Sequence, residues 1–197
     1  MSKEHRYYFN ELAKSWHNKH SSEELYEYMQ QFGIRSDDVV LDVGAGAGAL
    51  TSLLVKLITA GRVVAADISE RMLNAARKNL AANEVFYLCT DACNLAFAKN
   101  TFDKIVCYST FPHICKPQCA LHEFYRVLRP GGVILIFHNC CSRKLNHYHA
   151  KRPGIVSFDK LPKSEQLQKL MQKAGFSESK TIEQPNLYWV ESRKVID

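Results

Sequence analysis

A glycine-rich segment with an acidic residue in front of its first glycine is the part of the sequence best suited to bind a ligand. It covers residues 41–49, LDVGAGAGA, and follows a valine-rich run that predicts a strand. Glycines let the backbone turn tightly and approach a ligand, and such a turn in an open α/β sheet lies at a binding crevice. The spacing of Gly44, Gly46 and Ala49 also fits the sites of nicotinamide and flavin dinucleotides.

Two acidic residues at the ends of predicted strands narrow the choice of ligand. Asp67 ends the second predicted strand, where an acid can bond to the ribose of either a dinucleotide or an adenosyl group. Asp42 lies on a strand expected to be buried, where an unpaired carboxylate is costly. It would repel a pyrophosphate and attract a ligand with ammonium and sulfonium groups. Asp42 therefore favours a cationic ligand.

An alternation of strand-like and helix-like segments positions these residues. Short apolar runs predict strands at 39–43, 63–66, 85–89, 102–108 and 133–137. Helical spacing of apolar residues between them predicts a parallel α/β sheet with crossover helices, one of them at 117–128. Two further β-rich stretches, 177–183 and 186–193, predict an antiparallel pair at the sheet edge.

Five motifs carry a resemblance to a known family. They occur in order within residues 35–140 and read VVLDVGAGAGAL, VVAADIS, TDA, FDKIVC and RVLRPGG. In order and spacing they resemble the class I S-adenosylmethionine-dependent methyltransferases. The segment FNELAKSW near the N-terminus is similar to the small-molecule branch, which includes quinone-biosynthesis and arsenite methyltransferases. The resemblance implies S-adenosyl-L-methionine as cofactor and a Rossmann-like α/β fold, with a seven-stranded mostly parallel sheet, an antiparallel C-terminal edge hairpin and helices on both faces.

The same resemblance implies a set of cofactor-contacting residues. Asp42 would lie near the amino-acid end of the cofactor, Asp67 would hold the ribose diol, and Asp91 would accept a bond from the adenine amino group. The alternative for Asp67 is a helix cap. The full implied set is Asp42, Gly44, Ala45, Gly46, Gly48, Asp67, Ile68, Met72, Asp91, Ala92 and Ser109.

Histidines form the second group of candidates. The fourth and fifth predicted strands end side by side, which places Tyr108 and His113 near His138. Residues 140–149, interpreted as an irregular loop, add His149. Three interpretations stay open. Histidine could act as a general base, with His113 and His138 as candidates, or histidine and cysteine could be metal ligands, with His113, His138 and His149 as the better set. In the third, the histidines only bond within a polar loop.

The N-terminal segment predicts a helical lid. Residues 4–31 have the pattern of one or two amphipathic helices, and the aromatic residues within 4–20 are expected to cover the cofactor or the acceptor. We therefore expect one domain, 1–197, with a lid at 1–31, a cofactor-binding core at 35–140, and a substrate-side loop, last helix and strands at 141–197. The substrate-side candidates are Tyr8, Trp16, Tyr108 and His149.

The expected reaction is in-line methyl transfer to a small molecule, either anionic or related to a metal or metalloid. The sequence Ser109–His113, STFPH, stands where adenine-N6 and glutamine methyltransferases carry an Asn/Asp-Pro-Pro-Tyr/Phe signature, so those substrates are not expected. Orientation and desolvation can supply much of the acceleration. The alternatives are an RNA- or protein-directed methyltransferase and a non-catalytic adenosyl-binding module.

Composition sets the remaining limits. The chain has 197 residues, 46% of them apolar, which suits one globular domain. Seven cysteines without an export signal favour free thiols and a cytoplasmic location, and no apolar run is long enough to span a membrane. The charge of +6 is concentrated in residues 138–180. Nucleic acid is not favoured as a partner, because basic residues there are not interleaved with exposed aromatic residues.

Overall fold

The chain alternates between helices and strands. In the computed structural model, which describes residues 2–15, 22–80 and 85–196, there are seven α-helices and seven strands. The helices are α1 (Lys3–Leu12), α2 (Ser22–Phe32), α3 (Ala49–Leu57), α4 (Glu70–Asn79), α5 (Pro117–Val127), α6 (Ser142–Ala150) and α7 (Ser164–Lys173). The strands are β1 (Val39–Val43), β2 (Arg62–Asp67), β3 (Val85–Cys89), β4 (Phe102–Tyr108), β5 (Leu128–His138), β6 (Phe176–Gln184) and β7 (Leu187–Lys194).

All seven strands form one sheet in the order β3-β2-β1-β4-β5-β7-β6. The first five are parallel, and β7 is antiparallel to both β5 and β6. The predicted fold, a mostly parallel seven-stranded sheet with an antiparallel C-terminal edge, is confirmed. The chain moves outward from β1 to β2 and β3 and then crosses to β4 on the other side of β1. The carboxyl ends of β1 and β4 therefore flank the crevice where ligands bind in this class of sheet.

Two apolar layers hold the sheet from both faces. On one face, Phe124 of α5 and Leu167 of α7 pack against the sheet, and both are fully buried. On the other face, Met29 of α2 packs in a cluster with Trp189 of β7. Because both faces are covered, the central strands consist of nearly continuous apolar residues. Asp42 is thus a charged residue within an otherwise apolar strand.

One prediction of local structure is wrong. The segment 140–149, interpreted as an irregular loop, contains helix α6. Its buried positions include Ser142 and His149, with partly buried Leu145 between them, so the spacing is helical but most of the inward-facing residues are polar. A search for apolar periodicity does not detect such a helix.

The helices predicted within residues 4–31 are present as α1 and α2, with a short 3-10 turn at Ala13–Ser15. Trp16 lies outside the described residues. No helix in the described ranges has the length and apolar character needed to cross a bilayer.

A buried lysine joins the last strand to the end of α5. Lys194, 8% exposed, donates from Nζ to the backbone oxygens of Tyr125 and Leu128, each at 2.8 Å, and to Asn100 Oδ1 at 2.9 Å. We expect Lys194→Met to lower the free energy of unfolding by about 2 to 4 kcal/mol, because the substitution leaves buried acceptors without donors. Chemical denaturation measures this difference. The exposed Lys173→Met is the control, and equal losses in the two variants would contradict the assigned role of Lys194.

Candidate functional site

The glycine turn between β1 and α3 is tied to both neighbouring strands. The amides of Gly44 and Ala45 donate to Ala66 O at the end of β2, at 2.7 and 3.1 Å. Thr110, which follows β4, donates from Oγ1 to Gly44 O at 3.1 Å. Gly44 has a φ of +71°, and a Cβ built on it would lie 2.1 Å from Thr110 Cγ2. A side chain at position 44 is therefore excluded both by backbone conformation and by space.

Asp67 connects β2 to the glycine turn. Its Oδ2 accepts from the Gly46 amide at 2.8 Å, and its Oδ1 accepts from the Ser69 amide at 2.7 Å. The cap of α4 is Ser69, whose Oγ accepts from the Met72 amide at 3.1 Å. Asp67 is thus not the cap residue that the sequence left as an alternative. Burial raises the pKa of Asp67, against the bonds from Ser69 and Gly46.

Asp42 lies at the same edge and is 1% exposed. Thr51 of α3 donates from its hydroxyl to Asp42 Oδ2 at 2.7 Å. Burial raises the pKa of Asp42 to about 7, against the Thr51 bond and with a further contribution from the charge of Asp67. Burial therefore disfavours the charged form of this carboxyl. A cation placed next to it would restore full ionisation.

These groups line one cavity at the carboxyl ends of β1 and β4. Seven residues of the implied cofactor set lie on its lining: Asp42, Gly44, Ala45, Gly46, Asp67, Met72 and Ser109. The candidates Tyr108 and His113 also lie there. Ser109 has a φ of +53°, a left-handed conformation that is rare for residues other than glycine and recurs at functional sites.

The other members of that set lie nearby. Ile68 and Ala92 line a smaller cavity that shares Gly44 and Asp67 with the first one. Gly48 lies outside both linings, at the start of α3, where a Cβ would come within 3.0 Å of Ala76 Cβ in α4. The absence of a side chain at Gly48 allows α3 and α4 to approach each other closely. Asp91 also lies outside both linings and accepts from the Cys93 amide at 3.0 Å.

Helix α1 lies over this edge of the sheet. Phe9 lines the main cavity and makes an edge contact with His113, with ring centres 5.0 Å apart. Asn10 Oδ1 accepts from the Ser69 hydroxyl at 2.7 Å, which docks α1 on the start of α4. Tyr8 points elsewhere and lines an outer groove with Phe158, so it lies outside the lining of the main cavity.

A buried cluster of histidines surrounds Asp159, which follows a 3-10 turn at Ile155–Phe158. His113 donates from Nδ1 to Asp159 Oδ2 at 2.6 Å, and His5 of α1 donates from Nε2 to Oδ1 at 2.9 Å. His149 Nδ1 donates to the backbone oxygen of Asp159 at 3.1 Å. Burial acts to raise the pKa of Asp159, but the bonds from His113 and His5 outweigh it and lower that pKa. Asp159 is therefore an ionised, buried carboxylate.

His138 has different surroundings from His113. It is 2% exposed, lies outside the cavity lining, and makes an edge contact with Tyr188, with ring centres 5.8 Å apart. Within the described part of the chain, its Nε2 has no hydrogen-bond partner. Burial, reinforced by the charges of His113 and His149, lowers the pKa of His138 to about 3, so its ring is neutral at physiological pH. Of the two catalytic candidates, only His113 lines the cavity.

Sequence reasoning missed His5 and Asp159. They are 154 positions apart and belong to no motif. The only signal was residue type, a histidine in the N-terminal helix and an aspartate in a loop. Thr110 was missed as well, although its place directly after β4 beside the glycine turn could have been inferred from the predicted sheet.

The chain is similar to known methyltransferases. A family described as "Methyltransferase domain" matches residues 41–136. The ubiquinone/menaquinone biosynthesis C-methyltransferase UbiE of Hydrogenovibrio crunogenus is 38% identical over 141 residues, covering 68% of this chain and 54% of that protein. The protein of the same name from Saccharophagus degradans is 36% identical over 140 residues, covering 68% and 55%. The chain thus spans about half the length of the curated relatives it matches.

Solved structures show the same fold. A SAM-dependent methyltransferase from Aquifex aeolicus superimposes with a TM-score of 0.73 at 23% identity, covering 87% of this chain and 90% of that one. A Haemonchus contortus phosphoethanolamine N-methyltransferase 2, solved with phosphomonomethylethanolamine and S-adenosylhomocysteine, gives 0.73 at 19% identity, covering 89% and 53%. At these identities the likeness concerns the fold.

The raised pKa of Asp42 has a consequence for stability. Below about pH 4 the carboxyl is protonated in both the folded and the unfolded chain, whereas between about 4 and 7 it ionises only when the chain unfolds. Stability from this group is therefore lost as pH rises to about 7. We expect Asp42→Asn to be more stable than the parent by about 1 to 3 kcal/mol at pH 8, with the gap closing toward pH 4.

Thermal or chemical denaturation at several pH values measures this gap. The exposed Asp37→Asn serves as control and should change stability by less than about 0.5 kcal/mol. If Asp42→Asn is less stable than the parent at pH 8, the burial penalty on Asp42 is refuted.

Proposed function

Since this chain belongs to the class I S-adenosylmethionine-dependent methyltransferases, whose cofactor is S-adenosyl-L-methionine, we propose that it transfers the cofactor's methyl group to a small-molecule acceptor. The observation that carries the proposal is the buried Asp42 carboxyl beside the glycine turn, with its pKa raised to about 7. A site of this kind suits a ligand with a cationic end. The chemistry of the lining therefore fits the cofactor of the family.

The cofactor's parts are assigned to separate groups of the chain. Asp42 holds the ammonium of the amino-acid end, and Asp67, already bonded to the glycine turn, holds the ribose hydroxyls. Met72 and Ile68 pack on the adenine, with Asp91 and Ala92 at its polar edge. Gly44, Ala45 and Gly46 let the backbone pass close to the ligand, and Ser109 borders the methionine part. Gly48 supports this turn through the packing of α3 on α4.

When bound, the cofactor would supply a methyl group that its sulfonium has already activated for in-line transfer to the acceptor. The chain contributes orientation and exclusion of water. Phe9 covers the cavity from α1, and His113, the last residue of the 3-10 turn Phe111–His113, lines it on the side of β4. We therefore assign α1 the role of the lid within a single domain.

His113 is the acceptor-side residue in this proposal. Asp159 engages its Nδ1, which leaves Nε2 for the acceptor, and the ring lies on the cavity lining. His138, neutral and outside the lining, supports the end of β5 and is not assigned to the acceptor. The neighbouring aromatic lining, Phe9 and Tyr108, suits a flat apolar molecule.

An uncharged aromatic acceptor is favoured over an anionic or metalloid one. Neither lysine, arginine nor cysteine occurs among the described residues that line the cavity. The relatives that match are named for C-methylation in ubiquinone and menaquinone biosynthesis. We propose a hydroquinone-like ring as the acceptor class.

All seven cysteines are free thiols, which supports the proposed cytoplasmic location.

Binding of the cofactor tests the central proposal. Calorimetry should show S-adenosylmethionine binding that weakens as pH falls from 7 to 5.5, approaching about tenfold per pH unit, because Asp42 must lose its proton to meet the ammonium. Asp42→Asn should bind more weakly at pH 7 and lose this pH dependence. Asp67→Ala should lose about 1.5 to 3 kcal/mol of binding free energy, as expected for bonds to a charged group.

The discriminating ligand in that experiment is NAD, whose pyrophosphate Asp42 should repel. Comparable or tighter binding of NAD than of S-adenosylmethionine would contradict the proposal. Asp37→Asn is the matched control for loss of a carboxylate and should bind the cofactor as the parent does.

The two histidine candidates can be separated by turnover. His113→Ala should keep its affinity for S-adenosylmethionine and lose about 10² to 10⁴-fold in the rate of methyl transfer to a panel of hydroquinones. The exposed His122→Ala should transfer at the parent rate. His138→Ala, once corrected for folded fraction, should stay much closer to the parent than His113→Ala. The assignment of His113 fails if His138→Ala loses turnover and His113→Ala does not.

A further inference from the structure

Three elements that are far apart in the sequence place donor atoms at one buried point. His5 comes from α1, His113 from the 3-10 turn after β4, and Asp159 from the segment after α6. One ligand atom of each lies within 4.8 Å of the other two, and all three residues are less than 10% exposed. We propose that His5, His113 and Asp159 bind one divalent transition-metal ion, and that this ion fastens α1 over the cofactor cavity.

The separations of the donor atoms are close to those of a coordination shell. Asp159 lies 2.9 Å from His5 Nε2 through Oδ1 and 2.6 Å from His113 Nδ1 through Oδ2. Ligands about 2.1 Å from a tetrahedral ion are about 3.4 Å apart. To admit an ion, the two imidazole nitrogens would have to move away from the carboxylate oxygens by about 0.5 to 0.8 Å.

The charge of the cluster favours a cation. Asp159 is an acidic residue of 8% exposure, and in the described ranges its side chain bonds to histidines only, without a lysine or arginine. A buried carboxylate is normally matched by a full positive charge. A divalent ion supplies that charge while leaving both imidazoles in the neutral form that binds metals.

The groups around the cluster are placed as metal sites require. Ser2 Oγ lies 2.9 Å from His5 Nδ1, where it can accept the proton of the ring nitrogen that does not face the ion. His149 holds the backbone of Asp159 by its bond to the carbonyl oxygen. Partners of this kind fix the orientation of metal ligands. Two nitrogens and one carboxylate oxygen suit Zn²⁺, Fe²⁺ or Co²⁺ better than Mg²⁺ or Ca²⁺.

The position of the cluster links a bound ion to the cover of the cofactor cavity. His5 belongs to the helix that carries Phe9, and Phe9 contacts the ring of His113 at the cavity. An ion bound to His5 and His113 fixes both ends of that contact. The proposal that the cluster binds an ion does not depend on the proposed methyl transfer. The effect of the ion on the cofactor cavity does rest on that proposed function.

Cobalt titration of the full-length chain tests the site. After treatment with a chelator and its removal, the parent should bind one Co²⁺ per chain, with visible absorption bands of a four- or five-coordinate ion. His5→Ala, His113→Ala and Asp159→Asn should each weaken binding by more than about 100-fold, since residues that only orient ligands are already worth 10 to 100-fold. The exposed His122→Ala should bind as the parent does.

Hydrogen exchange of the same samples, without cofactor or acceptor, supplies the second measurement. Co²⁺ should slow exchange across residues 3–12 in the parent and in His122→Ala, and should have no such effect in His5→Ala. His5 lies outside the sheet and its two apolar layers, so His5→Ala should remain folded, as circular dichroism can confirm.

The inference is overturned if the parent does not bind Co²⁺ or Zn²⁺ at micromolar concentration, or if His5→Ala binds it undiminished. Calorimetry with S-adenosylmethionine on the same samples separates the two proposals. Cofactor binding without metal binding refutes the ion alone, and metal binding without cofactor binding refutes the methyltransferase function alone.

Discussion

The rest of the site depends on a carboxylate kept in the apolar centre of the sheet. Asp42 stands on the central strand β1, its hydroxyl donor is Thr51, and burial raises its pKa to about 7. A parallel sheet covered on both faces gains nothing in stability from such a group. Its position would become favourable next to a cationic ligand, which stabilises the charged form. Gly44 carries no side chain, and Thr110 packs into the place that a Cβ would take and donates to Gly44 O.

A second buried carboxylate, Asp159, bonds to His113, which lines the cavity. Its donors are imidazoles from distant parts of the chain. Helix α1 connects this carboxylate to the cavity, because His5 reaches Asp159, Phe9 lines the cavity and Asn10 bonds to Ser69 at the start of α4. These three residues lie within two turns of one helix. A change in either polar contact is therefore transmitted to Phe9 and to the cover of the cavity.

The sequence predicted what depends on local pattern. The five parallel strands, the C-terminal antiparallel pair and the glycine turn follow from apolar runs and motif spacing, and the seven-stranded fold that the family resemblance implied is the one that the structure has. The sequence did not predict α6, because the buried face of that helix is largely polar. It also did not predict the pairing of His5 with Asp159, because a contact across 154 positions leaves no periodic signal. His138 was correctly placed at the end of β5, but the burial that makes it neutral comes from elements packed around that strand end.

The two sides of the cavity are held by different kinds of contact. The side of β1 and β2 is fixed by backbone bonds, such as those from Gly44 and Ala45 to Ala66, within a fully packed sheet. Helix α1 is held mainly by polar side chains. Among its residues Lys3–Leu12, all of which the structure describes, only His5 is buried. Segments with few buried apolar contacts open at lower free energy than the core around them. We therefore expect the side of β1 and β2 to open at a higher free energy than α1, whose polar contacts would then set the access to the cavity.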